Sequence, residues 1–150
     1  MAPQRDPGLV GLQYPHPAIF PRSAEGPRDL VRQNREIRLR KETIALIESQ
    51  AIAKGNVLAT ARLAGILAAK QTGGLIPLCH PLPITYCEVK FQIPKTRDRI
   101  RIRASAKITA QTGVEMEALT AVALAALTIY DMCKAVDKTM RITNIKLVSK

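Results

Sequence analysis

Tyr86-Cys87-Glu88-Val89-Lys90-Phe91-Gln92-Ile93-Pro94, the link Lys95-Thr96-Arg97-Asp98, and then Arg99-Ile100-Arg101-Ile102-Arg103-Ala104-Ser105-Ala106-Lys107-Ile108-Thr109-Ala110 form the stretch on which the fold turns. Val89, Phe91 and Ile93 alternate with Glu88, Lys90 and Gln92, and Ile100, Ile102 and Ile108 repeat the pattern beyond the link. A period of two buries one face and wets the other, so these are two half-buried strands, and so short a link makes them a hairpin. On the second strand Arg99, Arg101, Arg103 and Lys107 share the polar face. That row reads as a solvated sheet face, a subunit contact or a phosphate-binding surface.

Upstream, residues 35–40 alternate charge with Ile37 and Leu39 as a short strand, and residues 41–50 place Ile44 and Ile47 at helical spacing. The turn signal Lys54-Gly55-Asn56 precedes a second helical piece over 57–71, with Leu63, Ile66 and Leu67 on one side and alanines around them. Downstream, Thr112-Gly113 introduces a long helix over about 114–137, and residues 140–148 read as a last strand. The order β-α-β-β-α-β predicts an α+β, ferredoxin-like fold: a four-stranded antiparallel sheet with helices on one face.

The chain has 150 residues, 47% hydrophobic and 23% charged, the size and balance of one globular domain. Residues 1–34 hold most of the ten prolines together with Gly8, Gly11 and Gly26, and read as a Pro-rich arm ahead of a domain over 35–150. That arm carries four arginines against three acids, so nearly all of the net charge of +11 lies on the domain. A basic surface predicts an anionic partner. With no Trp, two Phe and three Tyr, none clustered, stacking platforms for nucleic acid are missing, and a phosphorylated small molecule is favoured. Cys79, Cys87 and Cys133 are odd in number and form no C-x-x-C pair, which fits reduced thiols in a cytosolic protein and no metal constellation. The N-terminus has no secretory pattern, and the uncharged run 118–130 is too short to span a bilayer, so no membrane partner is expected.

Chemistry gathers in three places. Cys79-His80 stands among Pro77, Pro81 and Pro83, which fix their own φ and push each preceding residue out of the helical region, an extended frame suited to a ligand-facing imidazole. A satisfied core histidine beside a small buried thiol is the competing reading. Asp131 and Lys134, at i and i+3, form either an ordinary helix-surface ion pair or a pair that tunes the lysine as a proton donor near neutral pH. Glu115 and Glu117 lie at the helix start, where the macrodipole favours carboxylates. Helix from Glu117 to Asp131 spans about 21 Å, too far for both to touch one reacting atom. If they serve one site it is shared between chains, with two Ala-rich helices antiparallel about a twofold axis. Lys54, before a glycine and a helix start, either holds phosphate or belongs to a common Lys-Gly turn.

Lys54-Gly55-Asn56-Val57, Thr60-Ala61-Arg62-Leu63-Ala64-Gly65-Ile66, Ile76-Pro77-Leu78-Cys79-His80-Pro81, Thr112-Gly113-Val114-Glu115-Met116-Glu117-Ala118-Leu119-Thr120 and Tyr130-Asp131-Met132-Cys133-Lys134 occur in an order and at a spacing that resemble the cyclic pyranopterin monophosphate synthase family of molybdenum cofactor biosynthesis, over residues 36–150. The resemblance implies rearrangement of a cyclised dihydro-GTP into a pterin carrying a cyclic phosphate, with pyrophosphate released, by a phosphorus-oxygen lyase working through general acid-base catalysis. It implies no required cofactor, with Mg²⁺ admitted alongside the triphosphate, and a cytoplasmic hexamer built as a trimer of dimers with sites at the dimer interface. It assigns Asp131 and Lys134 as the acid-base pair, lines the substrate with Leu78, Cys79, His80, Met116 and Glu117, and adds Lys54, as a further catalytic residue, and Glu115. The chain departs from the family pattern in lacking Met-Val-Asp-Val before the first strand and Gly-Gly-Lys-Ser-Gly after Lys150, and in carrying Gly74 where an acid is common.

Overall fold

The computed structural model describes residues 31–108 and 113–149. The expected arm over 1–34 falls almost wholly outside them, as do Thr112 and the last two residues assigned to the second hairpin strand. Eight elements follow in order: β1 (Val31–Arg38), α1 (Lys41–Glu48), α2 (Val57–Lys70), α3 (Thr72–Leu75), β2 (Ile84–Gln92), β3 (Arg99–Ile108), α4 (Glu115–Cys133) and β4 (Arg141–Ser149). The sheet runs β2-β3-β1-β4, and every neighbouring pair is antiparallel. This is the ferredoxin-like order, with α2 and α4 stacked on one face.

The alternation that defined the hairpin decides which side is covered. Ile100, Ile102, Ala104, Ala106 and Ile108 of β3 are buried while Arg101 and Arg103 are exposed. Ile37 pairs with Ile100 and Val89 with Ala104, so the covered face is continuous across three strands. Ile44, Val122, Ala125 and Ile129 close over it. At about 25 cal/mol per Å² of apolar surface, a buried isoleucine of this kind stabilises the fold by roughly 1.5–3 kcal/mol, and β3 alone supplies three of them. On the uncovered face Glu36 is held by Arg99 at 3.2 Å, Arg101 at 3.2 Å and the Asn144 amide at 3.0 Å.

Three details differ from the sequence expectation. The leucines Leu63 and Leu67 do not face the core: they are 58% and 47% exposed, and α2 buries Val57, Ala61, Gly65, Ala68 and Ala69 instead. The reason is close packing of α2 on α4. A Cβ at Gly65 would stand 2.8 Å from the Ala121 carbonyl oxygen, so only the small-residue face fits against the neighbour. Second, a short helix, α3, follows α2 where no element was expected.

Third, α4 stops at Cys133, short of Asp137, because Asp137 is spent elsewhere. Its fully buried carboxylate accepts hydrogen bonds from the Arg40 N–H (2.9 Å), the Thr43 hydroxyl (2.9 Å), and the Thr139 N–H (2.9 Å) and hydroxyl (2.7 Å). Those bonds tie the turn after α4 to the junction of β1 and α1. Among the described residues α4 is the one helix long and apolar enough to cross a membrane by length and composition, although its uncharged run is short. Its packing on α2, β1 and β3 makes it the core helix of this domain.

Candidate active site

At the C-terminal end of α4, three charges meet. Lys54 sits in the turn before α2, which is closed by the Gly55 N–H on the Ile52 carbonyl (3.0 Å) and followed by Asn56, whose side chain caps α2 by accepting from the Ala59 N–H (3.0 Å). From there the Lys54 ammonium donates to Asp131 Oδ2 at 2.7 Å and to the Asp131 carbonyl at 3.3 Å. Lys134 reaches Asp131 Oδ1 at 2.8 Å, so each carboxylate oxygen holds one ammonium. All three side chains are about half exposed. The bonds from Lys134 and then Lys54 hold the Asp131 carboxyl down at about 2, and Asp131 in turn raises Lys134. The shift on the lysine therefore runs upward, opposite to a tuning toward neutral pH: within one chain Lys134 is a fully charged donor.

At the other end of α4 the chemistry is buried. Val114 provides no side-chain cap, and the first turn carries Glu115, Met116 and Glu117. Met116 is half-buried, and Glu117 is 2% exposed with its Oε1 lacking a hydrogen-bond partner. Burial pushes the Glu117 carboxyl up, and the neighbouring Glu115 charge adds to the shift. Both carboxylates face the positive end of the helix dipole, which offsets part of the burial cost. Burial also raises the Cys79 thiol, and the Glu117 charge adds to it, so this end of α4 carries the Pro-rich loop.

The loop opens with a tight turn over 76–79, where an extended backbone was expected. The Cys79 N–H donates to the Ile76 carbonyl at 3.2 Å, with Pro77 at the first central position and Leu78 at φ 64° at the second, the arrangement of a type II turn. Ile76, at φ −101° and ψ 114°, shows the extended backbone expected before a proline. A Cβ at Gly73 would stand 2.7 Å from Pro81 Cα, so α3 is pressed directly against the loop. Leu78 and His80 are exposed and Cys79 is half-buried, which removes the reading of His80 as a core histidine.

The sequence-assigned residues thus fall into two groups, Lys54, Asp131 and Lys134 at one end of α4 and Leu78, Cys79, His80, Glu115, Met116 and Glu117 at the other. The helix between them is unbroken, and the roughly 21 Å of rise stands. Asp137 was not singled out from the sequence. Its signal was the Asp-x-Thr spacing to Thr139, an Asx turn, which the structure forms. Among the described residues the uncovered sheet face bears the expected cationic row and one exposed aromatic, Tyr86, with the Lys107 ammonium 5.4 Å from its ring.

A family model described as the MoaC family matches residues 30–150. The chain is 56% identical over 114 residues to a cyclic pyranopterin monophosphate synthase of Clostridium perfringens (strain 13 / Type A), covering 76% of this chain and 72% of that protein. It is 57% identical over 114 residues to one from Dinoroseobacter shibae, covering 76% and 72%, and 53% identical over 123 residues to one from Chloroflexus aurantiacus, covering 82% and 75%. A match over the whole described domain, at this identity and with both charged ends of α4 in place, leads to one conclusion: the chain belongs to the MoaC family.

Proposed function

We propose that this protein is a cyclic pyranopterin monophosphate synthase, converting (8S)-3',8-cyclo-7,8-dihydroguanosine 5'-triphosphate to cyclic pyranopterin monophosphate with release of pyrophosphate, in molybdenum cofactor biosynthesis. The observation that carries it is the Lys54–Asp131–Lys134 triad, two ammonium groups 2.7 and 2.8 Å from one carboxylate. Opening and reclosing the purine-derived ring moves protons at nitrogen and carbon. Lys134, kept charged by Asp131, serves as the acid, and Asp131 receives or relays the proton. Lys54 stabilises charge that develops as a sugar hydroxyl attacks the α-phosphorus and pyrophosphate leaves, the step that makes the enzyme a phosphorus-oxygen lyase. Leu78, Cys79, His80, Glu115, Met116 and Glu117 line the substrate, and Glu117, with its raised carboxyl, holds a proton at higher pH than an exposed glutamate. The reaction needs no resident cofactor; Mg²⁺ enters with the triphosphate.

The two groups act together when a second chain lies antiparallel along α4. Support for that partner comes from the outer helix faces, where Leu63, Leu67 and Leu127 are exposed. The assembly is a hexamer, a trimer of such dimers, working in the cytoplasm. The test is release of pyrophosphate and pterin product from the cyclised dihydro-GTP by the parent chain and by Lys134→Ala. Product from the parent and none from a folded, assembled variant supports the assignment. An assembled parent that yields no product, or an unimpaired variant, refutes it.

A further inference from the structure

The last turn of α4 carries the charged triad, yet it ends without the usual glycine stop: Lys134-Ala135-Val136-Asp137 follows Cys133. An i, i+3 pair such as Asp131–Lys134 meets only while the chain between them stays helical, and helix ends fray where their last carbonyls lack partners. Here the end is wound tightly. The Lys134 N–H reaches the Tyr130 carbonyl at 2.9 Å, and the Cys133 carbonyl accepts both the Val136 and the Asp137 N–H at 3.0 Å. That coil closes on Asp137, a fully buried carboxylate three residues beyond Lys134 that the synthase reaction does not itself use.

What holds the coil comes from the other end of the domain. α1 starts at Arg40, whose side chain makes no capping bond. The Asp137 carboxylate stands in that place from 97 residues away: Oδ2 accepts the Arg40 N–H and the Thr43 hydroxyl, each at 2.9 Å. An anion there faces the positive end of the α1 dipole. Oδ1 accepts the Thr139 N–H and hydroxyl, with Arg40 Nε 3.5 Å away. The Arg40 guanidinium also donates to the Val136 carbonyl. Both oxygens of Asp137 are thus engaged, and residues 133–137 unwind only by breaking bonds to the β1–α1 junction. Burial pushes the Asp137 carboxyl up, but these bonds hold it at about 2, so the strap stays charged at neutral pH.

We infer that Asp137 is a positioning residue: strapped to Arg40 and Thr43, it keeps the final turn of α4 wound and so holds Lys134 against Asp131. Its kinetic consequence rests on the synthase reading, and its geometric consequence does not. The test pairs turnover with lysine side-chain NMR of the full chain, Lys134 being assigned through Lys134→Arg. Parent, Asp137→Asn, Thr43→Val and Thr43→Ser are compared at a temperature where circular dichroism shows each folded. Asn keeps one of the two acceptor oxygens, Val removes a single donor, and Ser restores it. Asp137→Asn should lower kcat roughly 10- to 100-fold at a KM within about twofold of the parent's, as a small displacement of a catalytic group does. The Lys134 titration, raised in the parent by its bond to Asp131 and the charge behind it, should fall toward the ordinary lysine range. Thr43→Val should move both readouts the same way and less far, and Thr43→Ser neither. A folded Asp137→Asn with the parent's kcat and Lys134 titration overturns the inference. So does a loss of kcat with Lys134 unmoved, because the effect then runs through another group. If Asp137→Asn does not fold, Thr43→Val decides by the same two readouts. A parent that makes no product removes the synthase reading, and the Lys134 titration alone then decides for or against the strap.

Discussion

Asp131 spends both carboxylate oxygens on ammonium groups, and the depth of its shift has a kinetic consequence. With its carboxyl at about 2, it stays ionised across any pH at which the protein works, so an acid limb in the rate profile must come from another group. In the proposed reaction we expect Glu117 to supply it, because burial raises its carboxyl. We expect Asp131→Asn to lower turnover by about 10²- to 10⁴-fold with an unchanged urea midpoint, and Glu117→Gln to move or erase the acid limb. The stability sign follows from the same shift. A raised carboxyl binds its proton more tightly in the native state, so its cost to stability appears as pH rises above the ordinary glutamate range. Glu117→Gln should then raise the melting temperature at pH 8 and leave it near the parent's at pH 4. Asp137 behaves oppositely. Burial pushes it up, but bonds from Arg40, Thr139 and Thr43 outweigh this and hold it at about 2. Its contribution is therefore present above the ordinary aspartate range and fades as pH falls from about 4 toward 2. Asp137→Ala at neutral pH should cost on the order of 3 kcal/mol in urea titration, since it removes the acceptor of four hydrogen bonds and strands the buried Thr43 hydroxyl. The Asp131–Lys134 pair was legible from its i, i+3 spacing. The pairing of Lys54 with Asp131 was not, because they lie 77 residues apart and only the fold brings them together.

The hairpin of β2 and β3 could be read directly, since a strict period of two leaves no competing structure, and the order of strands followed from it. The faces of α2 could not. Its leucines and its small residues both recur at helical spacing, and packing rather than hydrophobicity decided which stripe went inside. Gly65→Ala tests that decision. Alanine gains about 1 kcal/mol of helix propensity, yet its Cβ would meet the Ala121 carbonyl at 2.8 Å and Val89 Cγ2 at 3.1 Å. We expect net destabilisation of about 1–3 kcal/mol by overpacking, measured by chemical denaturation. The Pro-rich loop was legible as rigid but not as a turn, because leucine is a poor choice at a φ of 64° and gave no warning.

Across the molecule, the fold class was open to reading because hydrophobic periodicity and element order are local, whereas the grouping of site residues is not. A single chain leaves the two charged ends of α4 apart and leaves Leu63, Leu67 and Leu127 bare. Leu63→Glu/Leu67→Glu should yield a folded chain of lower mass in analytical ultracentrifugation with little turnover. An assembly of unchanged mass would mean that other surfaces hold it. The unbroken run of α4 carries a genetic consequence. Glu117→Ala and Lys134→Ala alter opposite ends of the same helix, so with the proposed two-chain site each should be inactive alone. In a mixed pair about a twofold axis, one of the two sites collects both defects and the other collects none. Random mixing then restores about a quarter of the parent's activity, and two null alleles of this gene would rescue one another within a single cell.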